Sequence, residues 1–417
     1  MKTKTFLRVA VAAAALTASV QADAANFVLN DTGGTALGTN ARKGFEIAAL
    51  YWSSVLTNNV TINLNIGFNT LGTGILGSTG STTALQFNSA YYGALGTHIT
   101  STIDASAVAT LRPLSAGAFG VNAVTAQANA LNAAGTGYLD TATRIDNDGS
   151  QNNSVVSVNT SVNKALGLTT NANGQTINFA LADGSITFSD AFSFDFDPTD
   201  GIDANSFDFI GVAIHEIGHA LGFRSGVDTV DAYTTPAPGS TTTSATLSRA
   251  GALENVTVMT QLDLFRYSEP GLLDWSTQGV PYFSIDGGVT MALGQDARFA
   301  TGVRNGDGRQ ASHYKDSAAG VPQIGILDPT SARGQLQEVT ALDIAAFDTI
   351  GWQTSFDAQL NSGYRFSTAD AYRAFAAQAT PVVPEPATWL MMIMGFGLVG
   401  GAMRSQRRRT TVRFAIA

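Results

Sequence analysis

The chain has 417 residues, of which 44% are hydrophobic, 13% are charged, 43 are glycine and none is cysteine. That length and apolar share exclude a disordered chain, and the missing cysteine excludes disulfides, Cys-ligated zinc and a thiol nucleophile. A formal net charge of −9 offers no basic face for nucleic acid, and any metal must be held by histidine or carboxylate.

Residues 1–24 read as a secretory signal peptide. Lys2, Lys4 and Arg8 form a positive start, residues 9–20 an alanine-rich apolar run, and Ala22-Asp23-Ala24 a small-x-small cleavage site. The helical spacing of Phe45, Ala48, Ala49, Trp52 and Val55 predicts a helix over 41–56. Strict alternation over 60–66 predicts a half-buried strand. Gly/Thr-rich loops are expected as far as residue 84, alanine-rich helical stretches over about 101–134, and short strands at 176–180 and 185–188 around the turn Ala182-Asp183-Gly184. Asp146-Asn147-Asp148-Gly149 and the acidic stretch 195–208 invite Ca2+, but neither fits an EF-hand loop. A solvated acidic loop is the expectation for the second, with Asp203 and Asp208 suited to the positive end of the helix that follows.

The chemistry concentrates in residues 207–222. Phe207, Ile210, Ile214, Ile217 and Leu221 recur at helical spacing as one buried stripe. Beside it runs His215-Glu216-Ile217-Gly218-His219. Histidines at i and i+4 lie one turn apart on one face, where both imidazoles reach a single zinc ion. Glu216, one residue round, is placed to take a proton from a water on that zinc. Gly222 supplies the helix stop. A catalytic zinc needs a third protein ligand, and the candidates are Asp228, Asp231 and His313, with His98 far upstream.

The segment from His215 to Phe223 resembles the metzincin metallopeptidases, although Ser225 stands where that family usually carries its third histidine. Ala311-Ser312-His313-Tyr314-Lys315-Asp316, Ile324-Gly325-Ile326-Leu327-Asp328-Pro329, the Thr340-led helix and Gly351-Trp352 resemble the leishmanolysin-like secreted branch. The resemblance covers 186–225 and 310–352 well and 41–68 loosely. It implies an α+β, zincin-like fold: a twisted mixed sheet over an active-site helix, with a long insertion before the third zinc ligand. It also implies His313 as that ligand and places Leu327 where the family has its Met-turn methionine; Asp228 stands second, because the flexible turn over 222–226 could bring it back to the metal. Tyr314 is expected to be a packed aromatic in preference to an oxyanion donor. Within the insertion, 235–248 reads as an exposed loop, 262–267 as a strand and 282–288 as a hairpin.

At the other end, Val383-Pro384-Glu385-Pro386 precedes an uncharged run over 387–403, then Arg404, Arg407, Arg408 and Arg409. This order resembles a PEP-CTERM sorting signal, which implies a Gram-negative host, an exosortase-type processing enzyme and transient anchoring in the inner membrane. The 17-residue run is near the lower limit for a transmembrane helix, and its arginines suit the cytoplasmic side. Without both ends the body carries 15 basic and 30 acidic residues.

The expectation is therefore a signal peptide (1–24), a zinc metallopeptidase domain (25–380) and a sorting segment (384–409). Its reaction is endopeptidase hydrolysis of a protein or peptide substrate, with Glu216 as catalytic base, His215, His219 and His313 on Zn2+, and the substrate backbone paired as an added strand along a sheet edge at about 185–188. The rivals are a non-catalytic surface or matrix protein on a zincin scaffold, and an aminopeptidase whose third ligand is Glu254 or Glu269.

Overall fold

The computed structural model describes residues 24–114, 151–234, 259–318 and 320–379. The chain divides into two compact units, 1–372 and 373–417. Among the described residues no helix is long and apolar enough to cross a membrane. The expected signal peptide before residue 24, the Asp146-to-Gly149 segment, the loop at 235–248 and the apolar run at 387–403 lie outside the described residues.

The first unit begins with strand β1 (Asn26–Gly33), helix α1 (Asn40–Val55) and strand β2 (Thr61–Asn69). The expected α1 stripe is buried in full, and Thr39 caps its start by accepting from the Arg42 N–H at 3.1 Å. In β2 the apolar members Ile62, Leu64 and Ile66 are buried, as the alternation predicted. β3 (Gly77–Ser81) and β4 (Thr83–Phe87) follow, then α2 (Asn88–Thr97) and α3 (Thr102–Ala109). α4 (Gln151–Ser154), β5 (Val155–Asn159), α5 (Thr160–Ala165) and β6 (Gly184–Ser189) lead to the main sheet's last strand.

That sheet has the order β1-β2-β6-β3. β1, β2 and β6 are parallel, and β3 runs antiparallel to β6. Two expectations change here. Segment 176–180 is not a strand: the Asn178 side chain accepts from the Ala180 N–H at 3.1 Å and turns the chain. Residues 77–81, expected as loop, form the sheet edge. Their sequence Gly-Ser-Thr-Gly-Ser has no apolar alternation because this strand meets its neighbouring helix through polar contacts.

The short bridge β7 (Phe194–Asp195) and β8 (Phe207–Asp208) closes the acidic loop. Within it Asp195 accepts from the N–H groups of Asp197 and Asp203, so its carboxylate holds the loop's own backbone. Helix α6 (Phe209–Ala220) crosses the sheet against α1 and β3. Asp208 caps it, accepting from Gly211 N–H at 2.9 Å. Phe209 anchors the start among Phe45, Phe188 and Phe196, at centroid distances of 5.3, 4.6 and 4.7 Å. Trp52 of α1 donates its indole N–H to Ile214 O at 3.0 Å, and Trp352 donates to Leu221 O at 2.8 Å.

Beyond α7 (Val227–Thr234), a 3₁₀ turn (Leu262–Phe265) leads into β9 (Arg266–Glu269). β10 (Leu272–Leu273) and β11 (Tyr282–Phe283) flank β9, so the expected strand near 262–267 starts later and pairs with residues of the expected hairpin. β12 (Glu338–Thr340), α8 (Ala341–Thr349), β13 (Arg365–Ser367) and α9 (Thr368–Ala379) complete the described elements.

α3 packs on α8 through acids. Asp348 accepts from the Ser101 hydroxyl at 2.6 Å, and Asp104 accepts from Thr100 N–H at 3.0 Å. Burial, then the charge of Asp104, pushes Asp348 up to about 8; burial also raises Asp104. A folded-state pKa above the unfolded one means stability present at low pH and lost as pH climbs towards that folded value. Asp348→Asn is therefore expected to melt several degrees higher than wild type at pH 8.5, and the gap to shrink as pH falls to 4. Thermal denaturation across that range checks it; a gap that widens on acidification contradicts it.

Candidate metal centre

α6 brings His215 and His219 to one face, and the loop before Tyr314 brings His313 to meet them. The three Nε2 atoms form a triangle with sides of 3.0 Å (His215–His219), 3.2 Å (His215–His313) and 3.2 Å (His219–His313). His219 and His313 are buried, and His215 keeps part of its surface exposed. Among the described residues this is the one group of three or more His, Asp and Glu side chains placed to share a metal.

Each imidazole is oriented from behind. Nδ1 of His215 meets Ile326 O at 2.8 Å, that of His219 meets Phe223 O at 2.7 Å, and that of His313 meets Gln310 O at 3.1 Å. A carbonyl only accepts, so each Nδ1 carries the proton and each Nε2 is left with a bare lone pair. Burial pushes His215 down to about 4. Burial and then the charge of His215 push His313 down to about 3. Burial, followed by the charges of both neighbours, holds His219 well below its ordinary value. The three Nε2 lone pairs thus converge on one point, an arrangement that could hold a cation. Neighbouring ligands of a tetrahedral zinc at ~2.0–2.1 Å stand ~3.3–3.4 Å apart, so the donor set fits zinc with a small outward relaxation.

The end of α6 is tied down so that these rings stay in place. Asn159 donates to His219 O at 3.0 Å and to Ala220 O at 3.1 Å, Ser161 to Ala220 O at 2.7 Å, and Gln261 to Gly222 O at 2.7 Å. These side chains take up the carbonyls that a helix C-terminus leaves over. Gly222, at φ +120°, makes the expected exit.

Glu216, next to His215 on α6, is buried against β3. Thr79 Oγ1 lies 2.6 Å from its Oε2 and 2.9 Å from its main-chain O. Burial pushes the carboxyl up to about 7, against the lowering pull of the Thr79 hydroxyl. A carboxyl poised near neutrality can both take and return a proton.

The other candidate ligands fall elsewhere. Asp228 accepts from Ala311 N–H at 2.7 Å, from Ser312 N–H at 3.2 Å and from the Ser312 hydroxyl at 2.5 Å. It shapes the loop that carries His313 and does not join the triad. Asp231 accepts from the backbone of Arg304 and Asn305. His98 donates to Ala94 O at 2.8 Å on α2's end. Glu269 is exposed at the end of β9, and Glu254 lies outside the described residues. Ser225 accepts from nothing in the triad; its N–H donates to the Ser312 hydroxyl at 2.9 Å, beside His313. Tyr314 is a packed aromatic, stacked on Phe299 with its hydroxyl donating to Leu342 O at 3.0 Å. Leu327 is buried, with both methyls 3.3 Å from where a Gly218 Cβ would stand.

Sequence reasoning missed two residues of this surrounding. Thr79 had no signal, because its strand reads as loop. Asp343 had one: Thr340-x-x-Asp343 before an apolar helix is a capping box. Its carboxylate also accepts from Ile326 N–H at 3.0 Å, so it fixes the turn whose carbonyl orients His215.

No curated protein and no solved structure matches the chain. One family model does, over residues 382–409, described as the PEP-CTERM protein-sorting motif. The chain therefore carries a PEP-CTERM sorting signal, which marks it for export and cell-surface sorting by an exosortase-type enzyme in Gram-negative bacteria.

Proposed function

We propose that this protein is an exported zinc-dependent endopeptidase of zincin-like fold, held at the inner membrane by its C-terminal segment until it is processed. The observation that carries the reading is the convergence of three Nε2 atoms, each imidazole held from behind by a backbone carbonyl, with the buried Glu216 next to His215 on α6. His215, His219 and His313 would hold the zinc, which when bound supplies the Lewis acidity that activates water and polarises a carbonyl.

The chain's own groups account for the rest. The three carbonyls of Ile326, Phe223 and Gln310 keep the imidazoles in the ligating tautomer. Glu216 takes the proton from the attacking water and returns it to the leaving amine. The sheet edge lies at β3, and not at 185–188 as the sequence suggested; those residues are in β6, between β2 and β3. A substrate backbone would pair along β3 as an added strand.

The test is degradation of casein by the full-length protein, stopped by a chelator and restored by zinc. Stoichiometric zinc with no cleavage of casein or short peptides would instead support a non-catalytic surface protein. Cleavage confined to amino-terminal residues would support the aminopeptidase.

A further inference from the structure

The free edge of β3 and the carboxylate of Glu216 are served by the same residues. Ser189 N–H donates to Leu76 O at 2.9 Å, and Thr82 N–H donates to Asp183 O at 2.8 Å. Positions 76/189 and 82/183 are therefore hydrogen-bonded pairs that bracket the β3–β6 register. Antiparallel pairs alternate, so Ser78 and Gly80 also turn their backbone groups to β6. Gly77, Thr79 and Ser81 turn theirs outward, to an edge that no other described strand covers.

Thr79 and Ser81 direct their side chains to the other side of the strand, and Gly77, which has none, shares their face. With a period of two they lie on one face, and that face meets α6. Ser81 donates its hydroxyl to His219 O at 3.0 Å. Thr79 Oγ1 reaches both Oε2 and the main-chain O of Glu216. A Cβ at Gly77 would stand 2.6 Å from Glu216 Oε1 and 2.9 Å from its Cγ. The carboxylate thus sits between a hydroxyl that holds Oε2 and a bare Cα that makes room for Oε1.

We propose that Thr79 is a positioning residue for Glu216: it locks the carboxylate's orientation, and its own backbone registers a paired peptide against that base. The inference rests on the peptidase reading above. One hydroxyl within reach of both the main-chain O and the carboxylate of Glu216 ties the side chain to its own backbone. Valine at 79 keeps the strand and the volume but frees the carboxylate, and serine restores the hydroxyl.

The experiment compares full-length wild type, Thr79→Val and Thr79→Ser for zinc content, kcat, KM and the Kd of a peptide hydroxamate. That probe binds a metal and also shares a proton with a neighbouring carboxylate, so it reads the pair without turnover. Thr79→Val is expected to keep its zinc and a KM near wild type while kcat falls about 10–100-fold, the scale of a misplaced reacting group. Its hydroxamate affinity is expected to fall in parallel, and Thr79→Ser to recover most of both. Wild-type kcat and hydroxamate affinity in Thr79→Val would overturn the inference alone, as would a Thr79→Ser as impaired as Thr79→Val. A wild type that binds no hydroxamate and cleaves nothing would overturn the peptidase reading and this inference with it.

Discussion

Glu216→Gln is expected to lower peptide hydrolysis by about 10²–10⁴-fold, the usual contribution of a general base, while leaving the bound zinc in place. Glutamine keeps the volume and can still accept from the Thr79 hydroxyl, so the packing against β3 survives. What it loses is the capacity to take a proton. The zinc is expected to stay because Glu216 is not among the three converging nitrogens. Casein hydrolysis and metal content measured on the same preparation separate the two effects. Activity within a few-fold of wild type would remove Glu216 from the catalytic role, and loss of zinc would recast it as a ligand.

The second large effect distinguishes His313 from Asp228. His313→Ala removes one of three nitrogen donors and is expected to abolish stoichiometric zinc binding. Asp228→Asn leaves all three imidazoles but weakens the anchor of the loop at Ala311 and Ser312. Residues that orient a ligand from behind typically cost ~10–100-fold in metal affinity when changed, so this variant is expected to bind zinc more weakly and not to lose it. Competition against a chromophoric chelator resolves the difference. Equal loss in the two variants would restore Asp228 as a ligand.

The elements that were legible in the sequence are those whose burial imposes a period. α1, β2 and α6 each place an apolar stripe against the core, so Phe45 to Val55, Ile62 to Ile66 and Phe209 to Ala220 show it. β3 was not legible, since its buried side is spent on hydroxyls donating to α6 and its outer side faces solvent. The helical pair of histidines could be read from spacing alone. His313 required a resemblance, because it lies 94 positions beyond His219 and no local pattern spans that distance. Asp228 is a candidate ligand in the sequence because the turn over 222–226 could bring it back to the site, whereas in the structure its carboxylate accepts from the backbone of Ala311 and Ser312. A carboxylate near a candidate metal site reads the same in one dimension whether it is a ligand or holds the loop that carries one. Asp343 shows the same limit: its cap is local and visible, whereas its hold on Ile326 depends on tertiary folding.

The claim on which the account rests is that three lone pairs converge because a metal belongs between them. Its most direct measurement is the zinc content of the full-length protein, stripped with chelator, returned to equimolar zinc and passed through gel filtration. One zinc per chain is expected in the wild type and none in His313→Ala. A wild type that emerges without zinc, or a His313→Ala variant that retains it, would contradict it.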